Sequence, residues 1–206
     1  MAITAELVKQ LREATGAAVI DCKKALEEFE GDIEKAKSYL AEKGLATAAK
    51  KADRAVREGK IETYTHPGGR VGVMLELNCE SDFVANTEQF QQVAHDIALH
   101  IAFANPLYVD VADIPPEVVD SQKTFFLHEA KATGKPDNVV EKIAEGKLQK
   151  YFDEVCLLRQ PFVKDDKMVV NDLIIQAIAQ IKENIKVSRF ARFELGGSGD
   201  GGGDEA

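Results

Sequence analysis

Val71-Gly72-Val73-Met74-Leu75-Glu76-Leu77-Asn78-Cys79, running on into Glu80-Ser81-Asp82-Phe83-Val84-Ala85, is the stretch that decides the fold. Val71, Val73, Leu75, Leu77 and Cys79 alternate with their neighbours, the period-two pattern of a strand with one buried face. Upstream, Lys60 to His66 is β-like and Pro67-Gly68-Gly69 supplies a turn, so the two runs predict a hairpin. Downstream, Asn86 with Gln89 three residues later resembles a capping box. It opens a helix whose apolar stripe is Phe90, Val93, Ala94, Ile97, Ala98 and Ile101. Asp82 and Phe83 therefore sit at a strand-to-helix corner, held from both sides.

The texture on either side of this unit is helical. Ile3, Leu7, Val8, Leu11 and Ala14 recur at helical spacing, with Thr4 as N-cap and Gly16 as stop. Cys22, Ala25, Leu26 and Phe29 repeat the pattern up to Gly31, and Asp32 caps a third helix that is expected to end near Gly44. A polar helical run, 46–57, reads as a linker. Beyond the hairpin, helices are expected from Pro115-Pro116 to about Thr133, after Pro136 as far as Pro161, and around Ile174 to Ile181. Ile185, Val187, Ala191, Phe193 and Leu195 share one parity and predict a last strand; Arg189 interrupts that face, which suggests a bulge. The residues after Leu195 are Gly, Ser and acid with nothing to bury, so disorder is expected. The fold class that follows is α+β: a three-helix bundle at 1–45, a helical linker at 46–57, a core at 58–195 with a small antiparallel sheet and flanking helices, and a tail at 196–206.

Composition narrows the function. A net charge of -9 disfavours a reader of phosphate backbones. The first 57 residues carry 11 basic and 10 acidic side chains, so their basic groups are balanced locally. No direct nucleic-acid partner is expected, and no apolar run has the length a membrane helix needs. The three cysteines, Cys22, Cys79 and Cys156, are isolated, which fits a reducing compartment and gives no zinc pattern. They fall on apolar stripes or on an inward strand parity, as small core residues do. His95 and His100 are five apart, the wrong spacing for two ligands on one helix face. No nucleophile elbow, phosphate-binding loop or dinucleotide fingerprint is present. No cofactor, metal or catalytic residue is predicted.

Two segments carry a resemblance: Leu11-Arg12-Glu13-Ala14-Thr15-Gly16-Ala17 with Asp21-Cys22-Lys23-Lys24-Ala25-Leu26 and Gly31-Asp32, and Asn78 to Ala85. Both look like the signature regions of the elongation factor Ts family. The likeness continues through Ile143-Ala144-Glu145-Gly146-Lys147-Leu148, Gln160 to Asp165, Glu183-Asn184-Ile185 and Arg189-Phe190. The length resembles the short form of that family, with one core repeat.

The resemblance implies a cytoplasmic or organellar (matrix or stroma) factor that is not an enzyme. It would bind the GTPase elongation factor Tu and promote release of GDP and Mg²⁺. It implies a ubiquitin-associated-like bundle and a homodimer joined through the core sheet. It also implies that Phe83 wedges near the partner's magnesium site, with Ser81, Asp82 and Val84 around it, and that Arg12, Val19 and Ile20 form a second contact. Periodicity alone would instead bury Phe83 and leave Arg12 solvated. Ser81 stands where the family usually has Thr and keeps the hydroxyl. Val19 and Ile20 stand where two methionines are common, and β-branched residues adapt less readily to a partner surface. Two other readings compete: a ubiquitin-type binding adaptor built on the bundle, which leaves the core without a role, and a thiol enzyme using Cys22 or Cys79, for which no neighbouring base is visible.

Overall fold

The computed structural model describes residues 3–197. In chain order the elements are α1 (Ala5–Thr15), α2 (Val19–Glu28), α3 (Ile33–Lys51), β1 (Glu58–Thr65), β2 (Val71–Cys79), α4 (Asp82–Ala85), α5 (Glu88–Ala104), α6 (Pro116–Lys131), α7 (Asp137–Val155), β3 (Pro161–Phe162), β4 (Asp165–Val169), α8 (Val170–Ile181) and β5 (Ile185–Glu194). The mixture of helices with small antiparallel sheets is the expected α+β class.

The bundle's helix ends are chemically specified. The Thr4 hydroxyl accepts the Leu7 N–H, and the Asp32 carboxylate accepts the Lys35 N–H. Gly16 adopts φ 63°, the left-handed conformation that closes α1 through its own N–H to the Arg12 carbonyl. Leu11, Cys22, Ala25, Leu26 and Ala36 make the buried centre.

The third helix does not stop at Gly44. It runs unbroken to Lys51, through what reads in sequence as the start of a polar linker. Its second half is supported by α8 rather than by the bundle. Gly44 is buried at the crossing, where a Cβ would lie 3.6 Å from the Ala179 Cβ and 3.7 Å from the Ile175 Cγ2. The glycine serves close helix approach, which a single-sequence reading cannot separate from a stop signal.

The main sheet has the order β1-β2-β5, with β2 in the centre and both pairs antiparallel. The hairpin and the distant last strand are as read from the sequence. The suspected bulge is real: Leu77 pairs with Val187, Glu76 pairs with Arg189, and Ser188 is the extra residue. The insertion reverses the parity of β5. Ile185 and Val187 enter the core, whereas Ala191 and Phe193 face the other side, opposite Met74 and Gly72. Phe190 and Arg192 take over the inner positions opposite Leu75 and Val73. The shared parity of the five apolar residues therefore does not make one apolar face.

Val73, Leu75, Leu77 and Cys79 pack on Phe90, Ile97 and Ile101 of α5 and on Val170, Ile174 and Ile178 of α8, forming the main core. Burying each such side chain stabilises by about 1.5–3 kcal/mol. Helices α6 and α7 pair with each other and hold small cores of their own, one around Ala130, Val140 and Ala144 and one around Ile114, Phe152 and Cys156. The β3–β4 hairpin has no signature in the sequence, because a two-residue strand gives no period to detect. The expectation for the tail at 196–206 falls outside the described residues apart from Gly196 and Gly197.

Candidate functional site

The corner after β2 is built in three residues. Ser81 is extended (φ -133°, ψ 152°) and caps α4 by accepting the Val84 N–H at 3.4 Å. Asp82 and Phe83 occupy the first turn of α4, and Val84 turns back to pack on the main core. The Asn86 N–H and side-chain amide both donate to the Asp82 carbonyl, closing this single turn. The next helix is capped by Thr87, whose hydroxyl accepts the Phe90 N–H at 3.3 Å; the cap is one residue later than the expected Asn86. Phe83, 83% exposed, stands out from this corner, and Asp82 is also exposed. Among the described residues no donor reaches the Asp82 carboxylate. Its charge at the start of a helix is favourable to the helix dipole and open to solvent.

Besides the local bond from the Cys79 thiol to the Ser81 carbonyl at 3.1 Å, the corner is fixed from far along the chain. One carboxylate oxygen of Glu183 accepts the Glu80 and Ser81 N–H groups at 3.1 and 3.0 Å, and the other accepts the Ser81 hydroxyl at 2.6 Å. The Glu80 carboxylate in turn accepts the Asn184 N–H at 2.7 Å and is paired with Arg54 at 3.3 Å. The Asn184 N–H, and secondarily Arg54, hold the Glu80 carboxyl below its ordinary range. The Asn184 side chain donates to the Ala52 and Arg54 carbonyls.

The second candidate group lies on the bundle. Arg12 is exposed on α1; Val19 and Ile20, at 50% and 67% exposed, open α2 rather than pack the bundle centre. Gln180 on α8 connects the two neighbourhoods. Its amide donates to the Thr15 carbonyl at 3.4 Å, and its carbonyl oxygen accepts from Gln89 in the first turn of α5. A Cβ at Gly16 would collide with that same amide. An open cleft of about 440 Å³ runs between the bundle and α8, lined in part by Ala18, Lys43, Ile175 and Gln176. No cysteine or histidine lines it.

The cysteines and His100 are buried in the interior. All three cysteines are fully buried, and burial raises each thiol, Cys156 to about 11. His100 is buried and accepts the Val163 N–H on Nδ1 at 3.2 Å, which leaves Nε2–H to donate to Gln160 at 3.0 Å. Burial lowers its pKa. His95 meets Glu62 at 3.3 Å. Among the described residues no group of three His, Cys, Asp or Glu side chains gathers as a metal site would require, and no helix is long and apolar enough to cross a membrane.

The site thus presents an exposed aromatic side chain beside an exposed carboxylate on a hydrogen-bonded corner. Comparison with known proteins gives the family. Residues 2–197 match the family model of elongation factor TS. The chain belongs to the elongation factor Ts family. It is 55% identical over 194 residues to elongation factor Ts of Carboxydothermus hydrogenoformans, covering 94% of this chain and 89% of that protein. It is 52% identical over 195 residues to that of Oleidesulfovibrio alaskensis, covering 95% and 98%. It is also 52% identical over 200 residues to that of Koribacter versatilis, covering 97% and 91%. As a member of the elongation factor Ts family the chain is a translation elongation factor. Glu183 and Gln180 carry no sequence signal that would place them at this site. Glu183 stood in a segment resembling the family, but its contacts with the corner span about a hundred residues, and no local pattern encodes them.

Proposed function

We propose that this chain is the nucleotide-exchange partner of the GTPase elongation factor Tu, accelerating release of GDP and Mg²⁺ by binding rather than by chemistry. An exchanger needs only to bind the nucleotide-free GTPase better than the loaded one. That difference is a coupling free energy, so nucleotide and exchanger weaken each other reciprocally. The observation that carries the reading is the 83% exposure of Phe83 on a corner whose Glu80 and Ser81 N–H groups are both held by one carboxylate. A rigid aromatic of this kind loses little entropy on docking. In the proposed complex Phe83 enters the GTPase near its magnesium site, Asp82 presents its unpaired carboxylate there, and Ser81 and Val84 hold the corner. Loss of the metal removes the largest positive charge on the phosphates, and GDP follows. Arg12, Val19 and Ile20 make the second contact from the ubiquitin-associated-like bundle, 1–45, while the core, 58–195, carries the wedge.

The same reading makes the protein a homodimer through the outer face of the main sheet. Met74 and Phe193, 53% and 74% exposed, stand there with Ile61 and Ala191. A second copy would cover this face. The expected place of action is the cytoplasm or an organelle matrix or stroma.

The test is release of labelled GDP from a bacterial-type elongation factor Tu in excess unlabelled nucleotide. The chain accelerates release many-fold, and Asp82→Ala loses much of that effect. A release rate equal to the spontaneous one, with binding to ubiquitin instead, would replace the proposal with the adaptor reading.

A further inference from the structure

The main chain of α4 directs Phe83, and the exposed ring itself adds nothing that would hold it. The helix has four residues, and the Phe83 ring has almost no cover of its own. An isolated turn of this length is not stable by itself, since nucleation costs more than one turn returns. Val84 and Ala85 anchor the far side of the turn on the main core, and the direction in which the turn leaves β2 is set by whatever fixes Glu80 and Ser81. The Cys79 thiol donates locally to the Ser81 carbonyl at 3.1 Å; the other side-chain contacts come from the α8–β5 turn and from Arg54, just past α3.

That turn is shaped for the purpose. Lys182 closes α8 in the left-handed conformation (φ 69°, ψ 18°), with its N–H on the Ile178 carbonyl at 3.0 Å. The reversal swings Glu183 onto the corner. Its carboxylate takes two successive backbone N–H groups and the Ser81 hydroxyl. The hydroxyl, having donated to Glu183, keeps its oxygen for the Val84 N–H, so one side chain joins the distant anchor to the helix cap. Carboxylate bonds to backbone N–H groups are charge-assisted and stronger than neutral ones. The exchange is reciprocal, since Glu80 returns the favour to the Asn184 N–H. Each of the two carboxylates thus accepts backbone N–H from the other's segment.

We propose that Glu183 is a positioning residue for nucleotide exchange: its carboxylate, clasping the Glu80 and Ser81 N–H groups and the Ser81 hydroxyl, sets the direction of Phe83. This rests on Phe83 being the exchange wedge, but the stiffening of the corner is measurable without any partner. Glu183→Ala removes every acceptor. Glu183→Gln keeps an oxygen for the two N–H groups but loses the charge, and its amide can meet the Ser81 hydroxyl only by making it an acceptor, which reverses that bond.

The first readout is backbone ¹⁵N relaxation of the free protein. Order parameters at Asp82 and Phe83 are expected near those of rigid backbone, about 0.85, in the wild type and to fall towards about 0.6 in Glu183→Ala. The Gln variant should lie between, with melting temperature and the β2 amides reporting that the fold persists. Unchanged order at Asp82 and Phe83 in both variants would overturn the proposal whatever the exchange assay gives.

The second readout is a double-mutant cycle in stimulated GDP release. Glu183→Ala is expected to lower kcat/KM on the order of tenfold when Phe83 is present, because a misplaced contact group is costly. In a Phe83→Ala background the further loss should be under about twofold. Equal losses in both backgrounds would mean that Glu183 acts through general stability, and the positioning role would be rejected. If the wild type itself fails to accelerate release, the exchange reading falls, while the relaxation result still decides whether Glu183 stiffens the corner.

Discussion

Replacing Gly44 by alanine should make the protein more stable, although the site is a buried crossing of two helices. Gly44 lies in the interior of α3, where glycine costs about 0.8–1 kcal/mol relative to alanine. The added methyl would meet the Ala179 Cβ at 3.6 Å and the Ile175 Cγ2 at 3.7 Å, ordinary contact distances at which no neighbour has to move. Burying that methyl adds up to about 0.8 kcal/mol. Compactness of the unfolded chain trims this part, so the net expectation is about 1–1.5 kcal/mol. For a chain of this size that raises Tm by about 2–5 °C. Urea unfolding followed by far-ultraviolet circular dichroism measures it, with the midpoint moving up and the slope unchanged. Gly44→Leu is the contrast: the crossing cannot take it, overpacking should cost about 1–3 kcal/mol, and the bundle is levered away from α8. A loss of 1 kcal/mol or more in Gly44→Ala would refute the packing described for α3 and α8.

Two further outcomes are expected. Stability should fall as pH drops below about 6.5, because burial depresses the folded pKa of His100 and the unfolded chain then binds the extra proton; the loss continues until the folded pKa is passed, with a slope of up to about 1.4 kcal/mol per pH unit for this group. Denaturant titrations at pH 7.5, 6.5 and 5.5, above the range where the depressed carboxyls of Asp21, Glu76 and Glu80 take up protons, check it; equal stability at all three contradicts the buried neutral imidazole. On the outer sheet face, Phe193→Glu combined with Met74→Glu should convert a two-chain species to a folded single chain in sedimentation equilibrium, whereas a wild type that is already single at micromolar concentration removes the dimer from the account.

Much of the fold was legible because it rests on local patterns. The alternation at Val71–Cys79, the turn at Pro67-Gly68-Gly69 and the caps at Thr4 and Asp32 are each written within a few residues. What was not legible depends on contacts across the chain. Gly44 reads as a stop until α8 is laid against it. The parity of Ile185 to Leu195 reads as one face until Ser188 is seen to be extra, after which Phe193 belongs to the surface. Phe83 is the sharper case. Its residue type argues for burial, and only the family resemblance argued for exposure. The structure gives the physical reason it can stand outside: Val84 takes the inward position, and Glu183 supplies from a hundred residues away the rigidity that a four-residue helix lacks.

In the proposed exchange the Phe83 ring itself, not merely the surface around it, opens the nucleotide site. The rate of labelled GDP release at saturating exchanger, compared between the wild type and Phe83→Ala, puts this to the test. The variant should still bind the GTPase but weaker by at least about thirtyfold, the ~2 kcal/mol of a truncated aromatic anchor, and its maximal release rate should fall as well. A variant that binds thirtyfold worse yet reaches the wild-type release rate at saturation would show that the ring only adheres, and would contradict the account.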